Sequence, residues 1–390
     1  MRTIGRGSRI LVTGGAGFVG AALVRRLGEE GLVVRVLDDL SSGRRERLGA
    51  GEAELVVGDV RSERSVREAV TDMDAVVHVA AALPDGSPRS ERLAHDVNVT
   101  GTLNLLAACA REKVARFVFA SSAAVYGSRV PYLLHEDMAP HPASSEGAQK
   151  AAAEGYVRLF GERDNLTTVI LRLFSVYGPD RQAGVIADFM AAARAGGPLT
   201  IFGDGSQTRD LLHVEDAVTA LGLALHTPGA AGRTFNVASG EAIGIRHIAT
   251  MVSDLAGGLP PPRYAAGRPG EARDVRASVA AAAAGLGFRA RVRLREGLAA
   301  CLGLVAPPAR VPIVQPRRFP EGSESKLNAI PARRATTPPP IPAAVRAHRS
   351  TPLFADRPPS FLVDEDDVTF DLDEDTDALL PAARSSEAWA

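Results

Sequence analysis

Upstream of residue 305, short runs of Val, Ile and Leu alternate with longer stretches in which apolar residues recur at helical spacing. The runs are Arg9 to Thr13, Val33 to Leu37, Glu54 to Val57, Ala75 to Val79, Arg116 to Ala120 and Thr168 to Leu173. Strands that are apolar throughout, rather than at every second residue, belong to a parallel sheet covered by helices on both faces. The pattern predicts a doubly wound α/β domain with a parallel sheet. Helices are expected over 97–111 and 143–161, each apolar on more than one face. No internal repeat recurs at a solenoid period.

Near residue 305 the alternation stops, and 14 of the 26 prolines lie beyond it. Between Pro307 and Pro359 the charges are mostly Arg, whereas Asp364 to Asp377 holds nine acids and no base. Such a chain buries too little apolar surface to offset its ordering entropy, so 305–390 is expected to be a disordered Pro/Arg-rich, then acidic, tail. That acidic stretch is a candidate contact for a protein partner. The whole chain of 390 residues is 45% apolar, with a formal charge of −1, which argues against nucleic-acid or polybasic membrane binding. No apolar run reaches the roughly 18 to 20 residues of a bilayer crossing. The start carries no secretory apolar core, and Cys109 and Cys301 are too few for a disulfide framework. A reducing cytoplasmic setting is the expectation.

The first run leads into Gly14-Gly-Ala-Gly-Phe-Val-Gly20 and then a helical pattern. Glycines here permit a tight turn, close backbone approach to a pyrophosphate at a helix N-terminus, and close helix-to-strand packing. Gly14, Gly17, Phe18, Val19 and Gly20 are therefore candidate dinucleotide contacts. The second run ends in Asp38-Asp39, about twenty residues on, where a carboxylate meets the adenosine ribose. An acid at this place repels a 2′-phosphate, so NAD is favoured over NADP.

Several further segments carry a family resemblance. Thr13 to Gly20, Leu37 to Gly43, Gly58-Asp-Val60, His78-Val-Ala-Ala81, Asn98 to Asn104 and Ser121-Ser-Ala-Ala-Val-Tyr-Gly127 resemble successive motifs of the extended short-chain dehydrogenases/reductases. More narrowly they resemble the NAD-dependent nucleotide-sugar epimerase/dehydratase group, which includes UDP-glucose 4-epimerases. Leu171 to Pro179, Ile201 to Asp210 and Gly267-Arg-Pro-Gly270 are similar to that group's substrate-side signatures. The resemblance covers about residues 8–300 and implies a Rossmann NAD-binding part (1–175, with 213–240 returning to it). It further implies a smaller nucleotide-sugar part, mainly 176–304. It places Asp59 and Val60 beside the adenine, Ala80 and Ala81 along the cofactor cleft, and Asn98 as a support. Ser175, Arg209 and Arg268 would meet the sugar nucleotide, with a guanidinium fork suited to phosphate oxygens. A homodimer through the helices at 97–111 and 143–161 is also implied.

The family's chemistry uses a Tyr base, a Lys four residues later and a nearby Ser. Ser122 and Lys150 occupy two of these places, but Ser144-Ser-Glu-Gly-Ala-Gln-Lys150 puts Glu146 where the Tyr belongs. The only lysines are Lys113, Lys150 and Lys326, and Cys109, Glu146 and Gly322 lie four residues before them, so the Tyr/Lys pair exists nowhere. A Glu starts from a pKa near 4.3 rather than about 10 and is shorter than a phenol, so it is a poor acceptor for an alcohol proton. A plain i,i+4 Glu–Lys helix pair is the simpler role for it. Ser175 in place of Asn, Ala280 in place of Asp and Ala124 in place of a hydroxyl point the same way. Tyr126 and Tyr156 are the substitute bases to consider. Two functions follow: an impaired NAD-dependent epimerase or dehydratase, or a non-catalytic binder of NAD and sugar nucleotide that serves as sensor or scaffold.

Overall fold

The computed structural model describes residues 4–49, 53–128, 133–164, 166–267, 273–306, 308 and 313. They all lie in one compact unit, Met1–Glu321; the second unit, Gly322–Ala390, is outside the described residues, and so is the acidic stretch.

The chain runs β1 (Arg9–Thr13), α1 (Phe18–Glu29), β2 (Val33–Asp38), β3 (Glu54–Val57), α2 (Glu63–Val70), β4 (Ala75–His78), α3 (Pro88–His95) and α4 (Gly101–Arg111). It continues through β5 (Arg116–Ser122), α5 (Ser145–Arg163), β6 (Thr167–Leu173), β7 (Ser175–Tyr177), α6 (Val185–Arg194), β8 (Thr200–Phe202), β9 (Thr208–His213) and α7 (Val214–His226). Last come β10 (Arg233–Val237), β11 (Ala242–Gly244), α8 (Ile245–Leu255), β12 (Arg263–Ala265), α9 (Ala280–Gly285) and α10 (Leu294–Cys301).

Seven strands form one parallel sheet in the order β10-β6-β5-β4-β1-β2-β3. The order reverses at β1, which pairs Ile10 with Val34 on one side and with Ala75 on the other. A crevice opens beyond the carboxyl ends of β1 and β4 at such a switch point, where ligands of doubly wound sheets bind. Both faces are covered. Leu23, Leu27, Val218 and Leu221 of α1 and α7 lie in one apolar cluster, and Leu105, Val157 and Phe160 of α4 and α5 in another. This double coverage explains why the central strands lack polar alternation.

The expected helix over 97–111 is interrupted. Asp96–Thr100 forms a π-turn between α3 and α4, which carries Asn98. The short strands β11, β9 and β7 make a second sheet and β12 pairs with β8, beside a third apolar cluster that contains Tyr177, Phe189, Ile248 and Leu298. No helix among the described residues is long and apolar enough to cross a membrane.

Two buried arginines tie elements together. Arg116 Nη1 donates to the carbonyls of Ala224, Leu225 and Thr227, which satisfies the end of α7. Arg172 grips Glu154 with two bonds, at 2.9 and 2.8 Å, and neither side chain is more than 1% exposed. Burial alone raises the Glu154 carboxyl. Arg172, Ser121 and Arg158 outweigh it and hold the carboxyl below its usual range. Beyond residue 304 only 305, 306, 308 and 313 are described, and of these Ile313 is buried.

Candidate dinucleotide and catalytic site

Gly14 follows β1 with φ near 69°, a left-handed conformation that favours glycine. A Cβ there would sit 2.7 Å from the Ala80 backbone, and one at Gly20 would overlap the Gly14 carbonyl. The turn is thus packed against the end of β4 with no room for side chains. Helix α1 begins at Phe18 with Gly17 as N-cap, and neither a side-chain cap nor an acid occupies its first turn. Its first amides and its dipole remain available to an anion. Phe18 and Val19 are half-buried on that turn.

Asp38 is held at the end of β2 by two amides, Ala16 to Oδ2 and Leu40 to Oδ1, both at 2.9 Å. Each carboxylate oxygen keeps further acceptor capacity. Asp39 is exposed and closes its own turn by accepting from the Ser41 amide and hydroxyl. Asp59 pairs with Arg61 (2.9 Å from Nε), whose side chain holds the carboxyl below its usual range. Val60 is buried, its side chain against Gly101. Ala80 is half-buried and Ala81 exposed along the crevice. An open cradle, a helix start without an acid and a fixed carboxylate together fit an adenine dinucleotide.

Under this cradle runs a chain of hydrogen bonds. His78 Nδ1 meets Thr13 Oγ1 at 2.7 Å, and His78 Nε2 meets Thr102 Oγ1 at 2.9 Å. Thr102 spends its hydroxyl proton on the Asn98 carbonyl (2.7 Å), so it accepts from His78 Nε2, and Nδ1 accepts from Thr13. This requires a neutral imidazole. Burial, then Lys150, brings the His78 pKa down to about 3. The Asn98 amide accepts from the Ala82 N–H, donates to the Ala82 carbonyl and donates to Gln149 Oε1 at 2.7 Å. The chain therefore links the glycine turn to α5.

Helix α5 starts where Ser144 accepts from the Gly147 amide. Glu146 lies in the first turn, half-buried, one turn before Lys150. Lys150 is 5% exposed; its Nζ donates to the Ala120 carbonyl at 2.8 Å and lies 4.9 Å from the Phe119 ring centroid. Burial brings its pKa down to about 8, against the pull of Glu146 and Glu154. The simple i,i+4 ion pair expected for Glu146 and Lys150 is not formed: the ammonium turns to the carbonyl at the end of β5 instead. Ser122 Oγ accepts from the Ala124 amide at 3.2 Å. Ser122, Glu146 and Lys150 all lie on β5 or the start of α5.

Tyr126 is 2% exposed, donates to Asn236 Oδ1 at 2.6 Å and is pushed upward in pKa by burial, so it is a structural phenol. Tyr156 is 37% exposed on α5. Ser175 is exposed at the start of β7. Arg209 donates from Nη1 to the Thr208 carbonyl and does not share its neighbour's direction. Asp210 points inward, where it accepts from Ser239, Gly240 and Ala277. Alternation along β9 separates the two. Arg268 lies outside the described residues.

Two residues absent from the sequence reading belong to this neighbourhood. Gln149 supplies the bond to Asn98, and its place directly before Lys150 was the available signal. Arg181 lies in the loop after β7, its guanidinium 5.4 Å from the Phe18 ring centroid, and burial lowers its pKa while Glu146 opposes the shift. It thus stands between the glycine turn and the start of α5. Nothing in the motif Val176-Tyr-Gly-Pro179 announced its reach. No group of three or more His, Cys, Asp or Glu among the described residues is arranged to hold a metal.

Comparison with known proteins agrees with this geometry. Residues 10–238 match the model of the NAD dependent epimerase/dehydratase family. The UDP-glucose 4-epimerase of Mycolicibacterium smegmatis is 36% identical over 302 residues, which span 75% of this chain and 96% of that protein. The solved UDP-glucose 4-epimerase of Thermotoga maritima with UDP-glucose superposes with a TM-score of 0.72 at 31% identity, covering 76% of this chain and 98% of that one. The Thermus thermophilus UDP-glucose 4-epimerase in complex with NAD gives 0.70 at 34% identity, with 76% and 98% covered. Cradle, topology and similarity over most of the chain agree: this protein belongs to the NAD dependent epimerase/dehydratase family.

Proposed function

We propose that the protein binds NAD and a sugar nucleotide and carries out hydride removal and return on the sugar, with proton transfer impaired at Glu146. The assignment gives residues 1–175 and 213–240 to NAD binding and mainly 176–304 to the sugar nucleotide. One observation carries it: a complete dinucleotide cradle stands beside a helix start that bears a carboxylate where the family has a phenol.

NAD, when bound, supplies the hydride acceptor. The amides of Gly17 to Gly20 would hold its pyrophosphate, and Asp38 would accept from the adenosine ribose. Asp59 and Val60 flank the adenine. Ala80 and Ala81 line the cleft, and Asn98 braces it from below. Lys150, now bonded to the Ala120 carbonyl, would hold the nicotinamide ribose hydroxyls. Ser122 Oγ hydrogen-bonds the sugar hydroxyl that loses its proton, while Ser175, Arg209 and Arg268 hold the nucleotide side. Glu146 is the group left to take the proton. Its oxygens stop roughly an ångström or two short of where a phenol would reach, which costs positioned proton transfer.

The test is turnover of UDP-glucose with NAD, native protein against Glu146→Tyr. The variant should be at least about 100-fold faster, the contribution of a positioned base. Equal, substantial rates would overturn this reading of position 146. If both proteins are inert yet bind NAD and UDP-glucose by calorimetry, the non-catalytic binder is the function; the direct Lys150 to Ala120 bond is the observation that favours it.

A further inference from the structure

Helix α7 contains Gly222 in its interior, where glycine is the least favourable residue after proline. The site is buried, and a Cβ there would overlap Ile313 Cδ1 and lie 3.0 Å from its Cγ1. Ile313 comes from beyond α10, from the part of the chain that follows the catalytic fold. It is 7% exposed. Its backbone N–H donates to Glu30 Oε1 at 2.9 Å, and the same oxygen is held by Arg26 Nε at 2.8 Å, one turn back on α1. Glu30 is the C-cap of α1, and α1 packs on α7. The seat thus has three independent parts: a notch made by a missing side chain, an apolar knob that fills it, and a carboxylate that takes the knob's amide.

We propose that this notch on the nucleotide-binding half is a docking site for the chain's own C-terminal extension, with Ile313 as its anchor and Gly222 retained to admit it. The proposal does not depend on Glu146 or on catalysis, because the seat lies at the C-terminal end of α1 and the glycine turn at its N-terminal end. Area favours an intramolecular occupant: one side chain with one backbone bond is far less than the roughly 1,000 Å² that a stable interface between molecules needs. A tethered segment needs no such area, since its effective concentration is set by the short chain from α10.

The experiment is a double-mutant cycle of Gly222→Ala and Ile313→Ala in the full-length chain, read by thermal unfolding. In the native background Gly222→Ala should lower Tm by about 2 °C or more, because the new methyl meets Ile313. In the Ile313→Ala background the same change should raise Tm by about 1–2 °C, because alanine is the better helix former and the notch is empty. A change of the same sign in both backgrounds overturns the proposal. A second reading needs no destabilised variant: the Ile313 amide should exchange with deuterium slowly in the native chain, and an unprotected rate overturns the seat. Coupling that strengthens with protein concentration would mean that a second copy fills the notch, which overturns the intramolecular assignment.

Discussion

The turn after β1 and the first turn of α5 face the same crevice but are built in opposite ways. The first is made of backbone and of missing side chains: Gly14 against Ala80, Gly20 against the Gly14 carbonyl, and uncapped amides at the start of α1. The second, in the function proposed above, depends on one side chain in one place, Glu146 in the first turn of α5. A cradle of amides holds its shape through most changes in its surroundings. A positioned acid or base is lost with a single substitution. Affinity for the cofactor and competence in chemistry are therefore separable properties of this fold.

The sharpest break of that contrast is Gly20→Val. The side chain would enter the Gly14 carbonyl and Gly15 Cα, so NAD affinity measured by calorimetry should fall by more than about 100-fold, since the amides can no longer approach the pyrophosphate. Unchanged affinity would show that the turn is not the cradle. Arg172→Met acts on the other region. It leaves the fully buried Glu154 without its bidentate partner, one turn beyond Lys150, and should cost about 3–5 kcal/mol in urea unfolding. A loss below about 1 kcal/mol would mean that the carboxyl simply protonates.

The smallest effect lies between the two regions, at His78. The folded protein keeps this imidazole neutral to about pH 3, whereas the unfolded chain protonates it near 6.5. The unfolded state therefore binds more protons between those values, and stability falls as pH drops through that window, by at most about 1.4 kcal/mol per unit. His78→Gln should flatten this slope in unfolding free energies measured at pH 7, 6 and 5. His213, brought down to about 4 by burial, keeps part of it in place.

Much of the fold was legible because parallel strands buried on both faces announce themselves as unbroken apolar runs. β1 and β3 have the bounds expected from the sequence, and β5 runs two residues further, to Ser122. The helix expected over 97–111 was less so, since a single extra residue in one turn leaves the apolar spacing on either side intact. In the site, the glycine spacing and Asp38 were readable because they are local in sequence. The seat of Lys150 on Ala120, the bond from Asn98 to Gln149 and the reach of Arg181 toward Phe18 were not, because each joins segments brought together only by the sheet order.

The π-turn at Asp96–Thr100 limits how the chain can change in length. Each residue of an α-helix advances the direction of its side chain by about 100°. Loss of one residue here would straighten the helix but swing Asn98 away from both Ala82 and Gln149. The wide turn is thus a fixed phase offset that keeps the two halves of the helix facing their separate partners.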